Sequence, residues 1–236
     1  MRKRRLHAYS FPLESGQIIK VTWLVLFVFL LAVSVLILRF IGWNANRVVP
    51  PDTSIKIDFA YPGRKNNIDL VKYARNAASK KWGYLYGTYG QILDSKLLES
   101  CEKTYYDEVA PYHDFIRKNW MGRRVTDCAG LIKSYGWYDP DSGEIKYQSN
   151  GMKDLSANGF YMAATEKGGM DSMPEIPGLA VWMDGHIGIY AGGGDVIESM
   201  TTTRGVVQTR LQGRGWQYWL KIPSISYDLK MSSAKN

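Results

Sequence analysis

Residues 21–38 read VTWLVLFVFLLAVSVLIL and contain no charged side chain. As a helix this run is ~27 Å long, and Ile18, Ile19, Phe40 and Ile41 extend it to the ~30 Å of a bilayer core. A run of this kind splits the chain into a segment on one side of a membrane and a segment on the other. It predicts a single transmembrane helix over 18–43, with Trp23 and Trp43 near the two interfaces. Arg2, Lys3, Arg4, Arg5 and Lys20 come before the run, and only Arg39 and Arg47 lie closely after it. The positive-inside rule therefore predicts a cytoplasmic N-terminus, residues 1–17, and an extracytoplasmic remainder. The expected location is the cell membrane, single-pass. A cleaved signal peptide is the alternative. The run is longer than the ~7–15 residues of a signal core, and WNANRVV offers a poor cleavage site.

The formal charge of +8 is concentrated in the same region. Within 1–43, six basic residues face only Glu14, so +5 of the +8 sits there. The rest carries 24 basic and 21 acidic residues with no basic stripe, which argues against nucleic acid as a partner.

Residues 44–65 read as a linker, since VVPPDTS and YPGRKNN are broken by Pro and Gly. From Asn66 the pattern becomes that of a folded domain, 66–226, with a tail at 227–236. NNIDLVKYARNAASKKW opens with a cap and carries Leu70, Tyr73, Ala74, Ala77 and Ala78 at helical spacing. GQILDSKLLESCEKTYYDEVAPYHDFIRKNW predicts two more helices divided near Pro111, and CAGLIKSYGW a short one. YDPDSGEIKYQSNGM reads as a turn-rich loop. PGLAVWMDGHIGIYAGGGDVIES alternates like strands around a Gly-rich turn, and GVVQTRL and YWLKI are further strand candidates. Helices first and strands later predict an α+β domain.

Chemistry concentrates in two stretches. In TDCAGLIKSYGW, Thr126 or Asp127 can cap a helix, which places Cys128 on its first turn. A helix N-terminus and a nearby imidazolium both lower a thiol pKa, so Cys128 is a candidate nucleophile with a depressed pKa. The alternative is a small buried cysteine on a packed helix. Two cysteines do not make a disulfide framework; Cys101 and Cys128 could pair in a domain outside the cell, but are expected to be unpaired because Cys128 is the candidate nucleophile. The second stretch is MDGHIGIYAGGGDVIES. His7 falls in the cytoplasmic segment, and His113 in PYHDF reads as a surface or capping residue. His186, at the start of a strand, is the candidate base; its alternative is a satisfied strand histidine. A hairpin through Gly192, Gly193 and Gly194 would return Glu198 and Ser199 toward His186, so Glu198 is the candidate for orienting the ring. No phosphate-loop pattern surrounds these glycines.

WGYLYGTYG, TDCAGLIKSYGW, PGLAVWMDGHIGIYAGGGDVIES and GVVQTRL…GWQYW, in that order, resemble the NlpC-type family of papain-like cysteine peptidases over roughly 68–222. The resemblance implies a papain-like domain with helices packed on an antiparallel sheet, here preceded by the membrane helix. It implies Cys128 as nucleophile, His186 as base and Glu198 at the position of a third polar residue. Tyr84 matches a tyrosine beside the nucleophile, and Asp127 the acid before it, sometimes used in substrate recognition. Three departures stand out. Ala129 replaces a usual serine, Glu198 stands where His, Asn or Gln is usual, and the interval from Gly87 to Cys128 is long, implying a helical insertion at about 91–122.

The implied activity is hydrolysis of peptide bonds in peptidoglycan stem peptides, between D-γ-glutamyl and a diamino acid. The implied partners are those stem peptides and the membrane. No metal or other cofactor is expected, because too few His and Cys are present for a zinc site with usual spacing. The alternatives are an N-acetylmuramoyl-L-alanine amidase and a wall-binding module of a membrane complex that does not cleave.

Overall fold

The computed structural model describes residues 15–45 and 50–227. The chain forms two compact units, 1–49 and 50–236. The first contains one helix, α1 (Ser15–Ala45). Its described apolar side chains, from Trp23 to Leu38, are mostly exposed. The basic cluster at 2–5 lies outside the described residues, as do the side chains of Lys20, Phe40 and Trp43. Among the described residues no helix is long and apolar enough to cross a membrane. The span expected over 18–43 therefore rests on the sequence.

The second unit begins before the expected domain boundary. Ile55, Ile57 and Phe59 alternate along an extended strap and pack against the main core. Arg124 donates to the Thr53 carbonyl at 2.7 Å, and the Asp69 carboxylate accepts from the Ala60 and Tyr61 N–H groups at 2.7 and 2.8 Å. The linker expected over 44–65 thus gives way from Pro50 onward to chain laid on the domain. At the other end, Tyr227 belongs to the domain, its hydroxyl bonded to Ile222 and Gly178; the rest of the expected tail, 228–236, lies outside the described residues.

Helix α2 (Asn67–Ser79) starts where Asn66 accepts from the Asp69 N–H. Strand β1 (Tyr89–Ile92) comes next, and then the helical insertion: α3 (Ser95–Thr104), α4 (Tyr106–Val109), a 3-10 turn over Ala110–Tyr112 and α5 (His113–Trp120). The insertion therefore begins after β1, whose last residues fall inside the range expected for it. Leu98, Cys101, Val109 and Ile116 seat it on Leu85, Leu93 and Val125. Cys101 is a free thiol buried in that contact, and Cys128 is free as well. His113 pairs with Glu102 on the surface of the insertion.

Strand β2 (Arg124–Thr126) returns beside β1 and leads into α6 (Cys128–Trp137). The turn-rich loop forms a short hairpin, β3 (Tyr138–Asp139) with β4 (Glu144–Ile145), and α7 (Ala157–Ala163) comes after it. The remaining strands are β5 (Lys167–Gly169), β6 (Ala180–Met183), β7 (His186–Gly192), β8 (Asp195–Ser199), β9 (Val206–Arg210) and β10 (Tyr218–Leu220). They form one six-stranded sheet in the order β5-β10-β6-β7-β8-β9, with every pairing antiparallel.

Strand alternation gives the sheet two apolar faces. Ile187, Ile189 and Ile197 pack with Leu70, Tyr73 and Ala74 of α2 and with Leu131, Ile132 and Tyr135 of α6. Tyr190, Val196 and Val181 form the other cluster with Leu179 and Trp216. The domain is α+β, helices on an antiparallel sheet, as its element order predicts.

Candidate active site

The Asp127–Cys128 junction is fixed by backbone hydrogen bonds. Asp127, not Thr126, caps α6: its Oδ1 accepts from the Gly130 N–H at 2.6 Å and its Oδ2 from the Gly87 N–H at 2.9 Å. Both carboxylate oxygens are thus engaged by the chain itself. Gly130 is required by space, because a Cβ there would stand 1.9 Å from the Thr88 carbonyl oxygen. This accounts for glycine two residues after the cysteine.

Cys128 is the first residue of α6 and is half-buried. Its Sγ lies 4.0 Å from the Gly185 carbonyl oxygen, and the N–H groups of Ala129, Ile187 and Cys128 lie near enough to lower its pKa. The thiol therefore touches the backbone on both sides of His186. Burial pushes its pKa up to about 12, the Asp127 charge adds to this, and the three N–H groups offset only part. The direction is opposite to the depressed pKa expected from the helix N-terminus, with burial as the largest cause.

His186 is delivered by a hairpin. Met183 pairs with His186 across the two-residue turn Asp184-Gly185, where Gly185 has φ +75°. Asn158 fixes this turn by accepting from the Gly185 N–H at 2.9 Å. The second hairpin, through the glycines at 192–194, brings Glu198 back. Its Oε2 lies 2.7 Å from His186 Nε2. A carboxylate only accepts, so Nε2 carries the proton and Nδ1 is left as the basic nitrogen. Among the described residues no hydrogen bond joins the thiol to the imidazole.

Glu198 is fully buried and heavily bonded. Thr209 donates to Oε1 at 2.6 Å, and Arg214 forks onto both oxygens, Nε to Oε1 at 3.0 Å and Nη2 to Oε2 at 2.7 Å. Burial opposes the charge, but hydrogen bonds from His186, Arg214 and Thr209 outweigh it and hold the Glu198 pKa down to about 2. Trp216 stacks on the His186 ring, centroids 5.5 Å apart and planes 15° off parallel. Gly188 makes room for this, since a Cβ there would meet the indole at 3.2 Å. Of these partners, Thr209 and Trp216 lie inside the blocks that carry the family resemblance, yet nothing in the sequence marks them or Arg214 as ring supports.

The thiol opens onto a groove of about 650 Å³. Cys128, Asp127, Asn158 and Gly185 line it, with Tyr86, Tyr105 and Tyr147 along its walls. Tyr105 comes from the insertion and meets Tyr86 edge-on at 5.2 Å, so the insertion builds one wall. In the groove Lys133 donates to Asp154 at 2.6 Å, and the Tyr147 hydroxyl to the same carboxylate at 2.7 Å. Tyr84 is half-buried nearby; burial, and then the charges of Cys128 and Asp127, push its phenol pKa up. A larger cavity, about 950 Å³ between Lys65, Asp139, Lys146 and Ser224, contains none of these residues.

No family model and no curated protein matches the chain. Solved structures with a partial likeness include an NlpC protein of Trichomonas vaginalis, at 14% identity over 70% of this chain and TM-score 0.36. The chain spans 49% of that structure's length. The peptidoglycan hydrolase RipB of Mycobacterium tuberculosis is 18% identical, covering 80% of this chain and 79% of that one, with TM-score 0.36. A domain of an M. avium subspecies paratuberculosis antigen is 15% identical over 67% of this chain and 97% of that one, again at 0.36. At these values the likeness carries no inference about fold or chemistry.

Proposed function

We propose that this chain is a cysteine peptidase that cuts stem-peptide amides of peptidoglycan, with D-γ-glutamyl–diamino acid as the bond. The observation that carries the reading is the placement of Cys128 at the head of α6, open to a groove and seated against the residues flanking His186, whose Nε2 is held by Glu198. The thiol proton moves to Nδ1 of His186 as sulfur attacks the amide carbonyl carbon. The oxyanion is met by backbone N–H groups at the start of α6, with the Tyr84 phenol nearby. The imidazolium then gives its proton to the departing amine. Water, deprotonated by the same nitrogen, releases the acyl group and restores the thiol.

In this reading residues 18–43 anchor the enzyme in the membrane with the catalytic unit outside. Support comes from the charge-free run and the basic residues before it. The substrate assignment draws on the resemblance of the Cys128 and His186 blocks to the NlpC-type family. Amidase action on the muramoyl–L-alanine bond is the variant of the same chemistry. The acidic third residue, Glu198, and the long helical insertion favour, as a second reading, a wall-binding module that does not cleave.

Whole peptidoglycan digested with the full chain and analysed by mass spectrometry separates these. The endopeptidase releases peptides with new amino termini on the diamino acid, adds no reducing sugar ends, and is silenced by Cys128→Ala. Stems beginning at L-alanine identify the amidase. Binding without any product identifies the module. Cleavage that persists in Cys128→Ala removes the thiol mechanism.

A further inference from the structure

Arg214 is the one side chain with a standing positive charge bonded to Glu198 among the described residues, and it comes from the segment between β9 and β10. Its fork engages both carboxylate oxygens, while Thr209 adds a bond to one. The guanidinium also lies over the Trp216 ring at 5.9 Å, and that ring is stacked on His186. One residue therefore braces both supports of the imidazole: the carboxylate at its Nε2 edge and the indole on its face.

We propose that Arg214 is a positioning residue that ties down Glu198 so that His186 presents an unprotonated Nδ1 toward Cys128. The need for that nitrogen rests on the cysteine peptidase reading. A buried carboxylate beside a histidine stabilises the imidazolium, which cannot accept the thiol proton. A guanidinium on the same carboxylate offsets that charge and fixes its plane through two hydrogen bonds. The groups facing the ring from each packed element are few. Glu198 from β8 and Trp216 from the β9–β10 segment touch the ring, Thr209 from β9 and Arg214 act through Glu198, and Cys128 from α6 lies against Gly185, the residue before the histidine. Asp184, in the adjoining turn, is bonded to Asn158 at 2.8 Å. Arg214 is the cation in this set.

The test uses the full chain as wild type, Arg214→Gln, Arg214→Lys and Glu198→Gln. Nitrogen NMR of the imidazole across pH reads the proton on each ring nitrogen, and kcat/KM against pH is recorded on a muropeptide. In wild type the nitrogen bonded to Glu198, Nε2, carries a proton throughout the titration. In Arg214→Gln the doubly protonated ring persists to higher pH, and the acid limb of kcat/KM moves up by about one pH unit. Arg214→Lys keeps the charge and returns the acid limb toward wild type. Glu198→Gln leaves Arg214 unopposed and moves the limb the other way, an independent reading should Arg214→Gln not fold. Identical ring signatures and acid limbs in Arg214→Gln and wild type, or an unmoved limb in Glu198→Gln, overturn the proposal. If the ring responds as stated but Cys128→Ala still turns over, the role of Arg214 is supported and the peptidase reading fails. If Cys128→Ala is inactive and the ring does not respond, only the role of Arg214 fails.

Discussion

Nε2 of His186 lies 2.7 Å from Oε2 of Glu198, and these two residues come from neighbouring strands joined by a glycine turn. The contact orders the ring and leaves a buried carboxylate whose charge is stabilised by three side chains. Both the catalytic proposal and the acid stability of the domain depend on it.

Replacement of Glu198 separates geometry from charge. Glu198→Ala leaves Arg214 without its partner and lowers stability by about 2–3 kcal/mol in urea unfolding. Turnover falls, though less than in Cys128→Ala or His186→Ala. Glu198→Gln keeps part of the activity, since an amide oxygen still accepts from Nε2–H. Unchanged kinetics in Glu198→Ala transfers the orienting role to another residue, Ser199 being the nearest in sequence.

Acid unfolding reports the same carboxylate. Its folded pKa of about 2 lies below the 4.5 of an unperturbed glutamate. The stabilisation is therefore full above the unfolded value and is lost as pH falls through about 2. Wild type loses stability steeply over this window, and Glu198→Gln shows a shallower slope there in pH-dependent urea melts. Equal slopes contradict the assignment.

The thiols titrate high. Burial pushes Cys101 up to about 11 and Cys128 up to about 12. Iodoacetamide labelling of both, read by peptide mass spectrometry, is slow at neutral pH and rises about tenfold per pH unit without a plateau below pH 9. A plateau for Cys128 near pH 6 shows instead a standing thiolate.

Two glycines carry separable loads. Gly130→Ala drives a Cβ to 1.9 Å from the Thr88 carbonyl, so the start of α6 must shift, costing about 3 kcal/mol or folding itself. Gly188→Ala meets Val196 at 2.7 Å and the Trp216 ring at 3.2 Å. It costs about 1–2 kcal/mol and lowers turnover through the displaced indole. Thermal melts and turnover measured together distinguish the two.

Protease added outside intact cells, with any outer barrier opened, digests the unit beyond residue 49 while a cytosolic marker survives. Protection of both reverses the expected topology.

The local chemistry of the chain is legible in its sequence wherever near neighbours decide it. Asn66 and Asp127 cap helices because their side chains reach N–H groups three residues on. The Asp127 cap puts Cys128 at a helix head, and the alternation in HIGIYAG with the glycines at 192–194 specifies the hairpin that returns Glu198 to His186. Tertiary structure alone decides the rest. The strap at 50–60 reads as linker because it lacks a long apolar period, yet Ile55, Ile57 and Phe59 find the core. The short strands β1, β2 and β5 are set by their partners rather than by their own pattern. Arg214 reaches the site from a loop with no motif, and Trp216, though inside a resemblance block, is not marked by it as a ring support. The Cys128 pKa departs from its sequence-based expectation for the same reason: a helix dipole can be read from sequence, but desolvation depends on what the whole chain packs around the sulfur.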